Sequence, residues 1–157
     1  MKLKLTLNLN QLAEYAEKER SRLAVHSVDL SLSETGLTDE QMPDFVRLLQ
    51  QISYLTRLDL SINNIGDVGL SILSEHLLAR RHPGLKSLDL RLNHLTPASW
   101  PVIIKLIVQL KLSSIKLSNI KSDENGTTLL ADMLRSNITL KKMSLDNVDL
   151  NDKTNRI

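Results

Sequence analysis

Apolar residues recur along this chain in a fixed order: one leucine, then, three positions later, two leucines separated by one polar residue. The order is clearest in LTRLDLSINNIGD, which begins at Leu55, and in LKSLDLRLNHLTP, which begins at Leu85. Alternation of apolar and polar residues is typical of a short β-strand with one buried face. Each copy therefore predicts a strand, and the asparagine that follows predicts a turn.

The same template, L-x-x-L-x-L-x-x-N-x-L, fits six segments, whose first positions are residues 2, 25, 55, 85, 112 and 140. The predicted strands lie near residues 3–8, 25–31, 55–61, 85–91, 112–118 and 140–146. In the second copy, the template places Val28 and Leu30 at the strand positions and Ser33 in the asparagine position. In the last two copies the asparagine, Asn119 or Asn147, comes one residue early. We therefore expect the turn to change conformation from the fifth strand onward.

Helical patterns separate the strands. DVGLSILSEHLLARR, which begins at Asp67, carries leucines on one face, and Asp67 is suited to start the helix. Strands that alternate with helices pair in parallel, because hairpins cannot connect them. Stacked strand–helix units bury a continuous core between a sheet and a layer of helices. We therefore predict one domain over residues 1–157, in which Leu150 closes the sixth copy.

Repeated copies of this length, each with its own helix, resemble the leucine-rich-repeat proteins, and the long period is similar to the ribonuclease-inhibitor-like class. The resemblance implies a right-handed α/β solenoid, a horseshoe segment with about six parallel strands on the concave face and helices on the convex face. Small chains of this type without cysteine also resemble the leucine-rich-repeat effectors that intracellular bacteria deliver into host cells. That likeness implies a cytoplasmic protein, or one that enters a host cell without a Sec signal.

Composition removes several functional classes from consideration. The chain has no cysteine, a net charge of +2 and 3% aromatic residues, so neither thiol chemistry nor a nucleic-acid surface is predicted. The longest apolar run, from Val102 to Leu110, is about half of what a membrane span requires and contains Lys105. The histidines share no metal-ligand spacing, and no catalytic motif occurs. We expect neither enzymatic activity nor a cofactor or metal.

The positions between the leucines point away from the predicted core and are the candidates for binding. The template aligns Asp29, Asp59 and Asp89 in one row, on strands about 4.8 Å apart. The row is open to three interpretations: an ion-pair lattice with neighbouring cations, an acidic stripe for a basic segment of a partner, or a calcium site. The residues predicted to contact a partner are Asp29, Arg57, Asp59, Ser61, Lys86, Asp89, Arg91, Lys116 and Lys142.

The sequence thus predicts a protein-interaction module that binds another protein through its concave sheet face and adjoining loops. The alternative is a structural role, with self-association through the apolar helix from Trp100 to Leu110 or through an open C-terminal edge. That helix has more apolar residues than one buried stripe requires. It is either a deeply packed central helix or an exposed patch for a second copy.

Overall fold

Six parallel strands form one sheet in chain order in the computed structural model, which describes residues 1–80 and 82–148. The strands are β1 (Lys2–Thr6), β2 (Ser27–Ser31), β3 (Tyr54–Asp59), β4 (Ser87–Asp89), β5 (Ser114–Ser118) and β6 (Lys142–Asp146). Each begins inside its predicted range or one residue before it. The predicted Leu150 position lies outside the described residues.

Helices connect the strands and form the second layer. They are α1 (Leu9–Lys18), α2 (Arg20–Val25), α3 (Met42–Leu49), α4 (Asp67–Arg80), α5 (Trp100–Gln109) and α6 (Glu124–Ser136), with short 3₁₀ turns at Asp39–Gln41 and Pro97–Ser99. Neighbouring helices pack in order, α3 on α4, α4 on α5 and α5 on α6. This arrangement confirms the predicted α/β solenoid.

Buried leucines from the first five strands meet the inner faces of the helices in one continuous core, and the partly buried Leu145 of β6 packs against it. Leu58, Leu88 and Leu117 are at most 1% exposed, and so are Phe45 and Trp100 from the helices. The large apolar area removed from water is the main stabilising contribution to such a stack. The sheet's other face carries the polar residues between these leucines.

The second repeat departs from the frame that the template assigns to it. The template aligns Leu30 with Leu60, but Leu30 pairs with Leu58, and the Leu32 amide donates to the carbonyl of Asp59. Leu32 therefore fills the second buried position, so the template's frame for this copy is wrong by two residues. A two-residue slip keeps every side chain on its own face, and the burial pattern alone cannot detect it.

A bulge in β3 accompanies this register. Val28 pairs with Leu55 and Asp29 with Arg57, which leaves Thr56 as the extra residue. The hydroxyl of Thr56 donates to the carbonyl of Val28 at 3.0 Å and is 2.7 Å from a carboxylate oxygen of Asp29. The bulge is therefore anchored by hydrogen bonds to β2.

The turn that leaves each strand from β2 to β6 contains one non-glycine residue in the left-handed region, with φ between 53° and 58°. These residues are Glu34, Ile62, Leu92, Asn119 and Asn147. The left-handed residue is thus retained at the fifth and sixth strands, and the predicted change of backbone conformation is wrong. What changes is the following residue, which is asparagine in the third and fourth repeats (Asn63, Asn93) and the buried Ile120 in the fifth.

Candidate functional site

The observed register rearranges the charges on the polar face of the sheet. Asp29 pairs in register with Lys4 on one side and with Arg57 on the other. Asp59 pairs with Asp89, so the predicted row of three aspartates is wrong and only two of them are neighbours. The two-residue slip in the second repeat explains why the row is broken, because it places Asp29 beside Arg57 instead of beside Asp59.

Asp89 is held by two cations. The Arg91 guanidinium donates to both carboxylate oxygens, from Nε at 2.9 Å and from Nη2 at 2.7 Å, and Lys116 Nζ lies 3.5 Å away. Burial works against ionisation of Asp89, but the hydrogen bonds and charges of Arg91 and Lys116 outweigh it and hold the pKa below its usual value. At Asp89 the aspartate therefore belongs to an internal ion-pair lattice.

Asp29 and Asp59 are also held in place by neighbouring side chains. Asp29 accepts from Thr56 and forms an ion pair of 3.0 Å with Lys2; burial opposes its ionisation, but these contacts lower its pKa. Asp59 accepts from the amide of Ser61 at 3.0 Å and from its hydroxyl at 2.7 Å. Ser61 is only 5% exposed, so it orients the carboxylate and presents little surface to a partner.

A shallow depression of about 180 Å³ lies in the centre of this face. It is lined by Arg57, Leu58, Asp59, Ser87, Asp89, Ser114, Lys116 and Lys142. The short side chains of Ser87 and Ser114 pair in register, with Arg57 beyond the first and Lys142 beyond the second. Within residues 1–80 and 82–148, neither of these two cations makes a salt bridge.

Comparison with known proteins agrees with this geometry. Residues 51–74 match the family model described as Leucine Rich repeat. A similar curated protein is the leucine-rich repeat-containing protein AAC1 of Dictyostelium discoideum, 32% identical over 116 residues, which are 72% of this chain and 15% of that protein. A similar solved structure is that of Leiomodin-1 Actin-Binding Site 2, with a TM-score of 0.67, 18% identity, and coverage of 84% of this chain and 77% of that one.

The fold is a leucine-rich-repeat solenoid. The chain spans only 15% of the AAC1 protein's length. The described residues include no group of three or more His, Asp or Glu that could hold a metal ion. No helix among the same residues is long and apolar enough to cross a membrane.

Lys86 lies apart from the other candidate residues of the solenoid. It precedes β4 and lines a second depression at the amino ends of the strands, together with Leu78, His82, Val108 and Lys111. The remaining predicted residues lie on or beside the polar face of the sheet. The sequence analysis counted Lys86 as a cation near the aspartates, but its position before the strand places it at the rim.

Helix α5 is a packed element of the outer layer. Trp100, Ile103, Leu106 and Ile107 are fully buried, while Val108 is 48% exposed. The helix lies between α4 and α6, and contacts on two sides require more than one apolar stripe. The structure thus favours the packed-helix interpretation over the exposed patch.

Two apolar residues beside the polar face did not enter the sequence prediction. Ile62 and Leu92 are 45% and 49% exposed, and they occupy the left-handed position in the turns after β3 and β4. Their only signal in the sequence was an apolar residue directly before the asparagine. That signal indicates neither the exposure nor the backbone conformation.

Proposed function

We propose that this solenoid is a non-enzymatic protein-interaction module whose concave sheet face binds a partner protein. The supporting observation is the central depression, where Arg57 and Lys142 flank a floor of short serines without a salt bridge to any described residue. Asp29 and Asp89, by contrast, already have internal cations. Cations beside a recess that form no salt bridge of their own are available to pair with a partner's carboxylates and to steer its approach.

The direct test reverses both of these cations in the variant Arg57→Glu/Lys142→Glu. The matched control is Arg47→Glu/Lys105→Glu, which makes the same change of charge on exposed positions of α3 and α5. Proteins captured from a cell extract by each variant are quantified by mass spectrometry. The protein that is captured most strongly is then purified and titrated against each variant. We expect the first variant to lose at least about tenfold in affinity and the control to retain it. Equal losses, or none, would contradict the proposal.

Actin is a second candidate partner, favoured only by the name of the Leiomodin-1 actin-binding site, whose fold this chain shares. Purified monomeric actin is titrated against the immobilised chain and against the Arg57→Glu/Lys142→Glu variant. Binding that the variant abolishes supports actin as the partner. Absence of binding up to about 100 μM removes actin and leaves the broader proposal to the capture experiment.

A structural role remains the alternative function, with self-association through α5 or through an open C-terminal edge. Burial of Trp100 and Ile103 leaves little of α5 for a second copy, whereas Met143 and Leu145 on β6 are half-buried. Light scattering at several concentrations measures the mass directly. A mass that rises with concentration, and that Met143→Lys lowers to the monomer, favours this alternative.

Three finer predictions stay as the sequence resemblance left them. They are membership of the ribonuclease-inhibitor-like class, a role as a bacterial effector, and a location in the cytoplasm or inside a host cell. The relative in Dictyostelium discoideum gives no support to a bacterial origin. Sequencing the genomic neighbourhood and locating a tagged copy in cells test these points without reference to the binding face.

A further inference from the structure

The left-handed position in the five turns carries three kinds of residue: glutamate after β2, an apolar residue after β3 and β4, and asparagine after β5 and β6. Left-handed backbone favours glycine, asparagine and aspartate, and it disfavours a β-branched side chain most of all. Asn119 and Asn147 follow this preference in the fifth and sixth repeats. Ile62 and Leu92 do not, although they have the same φ of 55°. Backbone preference therefore does not account for the apolar residues in the third and fourth repeats.

Burial does not account for them either. Ile62 is 45% exposed and Leu92 is 49% exposed, whereas the residues on either side of Ile62, Ser61 and Asn63, are 5% exposed. The two turns are bonded side by side, since the amide of Ile62 donates to the carbonyl of Arg91 at 2.9 Å and that of Asn63 to the carbonyl of Leu92 at 3.2 Å. An apolar pair is thus presented at the carboxyl ends of β3 and β4.

The charges near the pair define what can cover it. Arg57 stands five residues before Ile62, which is about 16 Å along an extended strand, and Lys142 flanks the same depression. At the turns themselves, Glu34 occupies the neighbouring turn of the preceding repeat, where its amide donates to the carbonyl of Ser61. Asp59, Asp89 and Lys116 line the depression as well, but Asp89 pairs with Lys116 and with Arg91, the residue before Leu92. Arg57 and Lys142 then outnumber Asp59, so an anionic group is attracted to the depression, whereas Glu34 repels it from the turn, where an apolar group fits.

Building on the proposed binding face, we propose that Ile62 and Leu92 form a docking contact for a large apolar side chain on an extended acidic segment of the partner. A carboxylate of the same segment lies between Arg57 and Lys142. An extended peptide that follows the strands reaches both sites when its acidic and apolar residues stand about five positions apart. The exposed apolar pair sets specificity, and the two cations set orientation.

The test uses a phage-displayed library of random dodecapeptides selected on the whole chain. We expect the enriched peptides to share an acidic residue and a large apolar residue about five positions apart. The best peptide is then labelled and titrated by fluorescence anisotropy against the wild type and against Ile62→Asn/Leu92→Asn. That variant adopts the residue already present at position 119, so we expect the melting temperature to stay level or rise while affinity falls about tenfold or more.

The control is Val68→Asn/Val108→Asn, which removes two exposed valines from the outer helices α4 and α5. It should leave peptide affinity unchanged. Peptides without the apolar residue, or an affinity insensitive to Ile62→Asn/Leu92→Asn, would overturn the docking contact. If those peptides still lose affinity on Arg57→Glu/Lys142→Glu, the binding face itself is upheld; if that variant also has no effect, or no peptide is enriched, both proposals fail.

Discussion

The turns after β3 and β4 and the turns after β5 and β6 each have a left-handed residue at the same position, but the chemistry of that residue and of the next one is exchanged. In the turns after β3 and β4 the left-handed residue is apolar and exposed, and the asparagine follows it; Ile62 is exposed and Asn63 is buried. In the fifth repeat the asparagine, Asn119, is outside and Ile120 is inside, 1% exposed. The same left-handed backbone can therefore be supported by a buried polar network or by a buried apolar side chain.

The polar network is the more demanding of the two. The Asn63 amide nitrogen donates to the carbonyls of Leu32 at 2.8 Å and Leu60 at 3.1 Å, and its oxygen accepts from the amides of Thr35 at 3.1 Å and Leu37 at 2.9 Å. One side chain thus satisfies buried backbone groups in two successive repeats. Such a network is specific, because each partner left unpaired costs free energy.

The largest effect should come from breaking this network. Asn63→Leu fills the space with the wrong chemistry and leaves the amides of Thr35 and Leu37 and the carbonyl of Leu32 without their partner. We expect a loss of about 4 kcal/mol in the free energy of unfolding, measured by urea denaturation. A loss below about 1 kcal/mol would mean that water replaces the amide and that the two kinds of turn are interchangeable.

The reciprocal change in the fifth repeat should cost less. Ile120→Asn removes a fully buried apolar side chain and places an amide where the chain has arranged no donors or acceptors for it. We expect a loss of about 3 kcal/mol, again from the urea midpoint. The conservative control Ile120→Val should cost about 1 kcal/mol. If Ile120→Asn left the free energy of unfolding unchanged, the buried Ile120 side chain would not be what stabilises this turn.

The two regions also differ in the aspartate at the start of the helix that follows the turn. Asp67 joins the third repeat to the fourth by accepting from the Thr96 amide at 2.9 Å and from the hydroxyls of Thr96 and Ser99. Burial opposes ionisation of Asp67, but these hydrogen bonds outweigh it and lower its pKa. In the last connection Asp123 instead caps its own helix through the amide of Gly126.

The pH dependence follows from that lowered pKa. The contribution of ionised Asp67 is fully present above its unfolded pKa of about 3.9, and it is lost as pH falls through the folded pKa. We expect Asp67→Asn to lower stability by about 1 to 2 kcal/mol at neutral pH, with the difference from wild type shrinking below about pH 4. Urea unfolding at both pH values measures this. A constant difference would assign the effect to packing.

The smallest effects should come from exchanging the outside residues. Ile62→Asn relieves an unfavourable left-handed isoleucine and should raise stability by about 0.5 kcal/mol, whereas Asn119→Ile should lower it by about 1 kcal/mol. Thermal unfolding of both variants measures the two shifts. Stability changes of opposite sign would support one backbone conformation for both kinds of turn. A loss of stability in Ile62→Asn would show that the exposed isoleucine contributes to folding.

Much of the fold follows from the chain alone, because alternation with a period of two assigns each strand residue to a face without knowledge of its neighbours. Leu58 and Leu60, and Leu88 and Leu90, are buried as the pattern predicts, and all six strands and the helices between them were predictable. Parity also selected eight of the nine candidate residues, and Lys86 was added as a neighbouring cation; Lys86 lies at the rim, Ser61 is buried, and contact of the nine with a partner stays a prediction.

Only the tertiary structure decides which strand residues become neighbours. A slip of two residues leaves the burial pattern of β2 unchanged, so the sequence alone cannot distinguish Asp29 beside Asp59 from Asp29 beside Arg57. The bulge at Thr56 and the pairing of Leu30 with Leu58 select the second arrangement. The repeated leucines thus determined the scaffold, whereas the order of charges and the exposure of Ile62 arise from contacts between repeats.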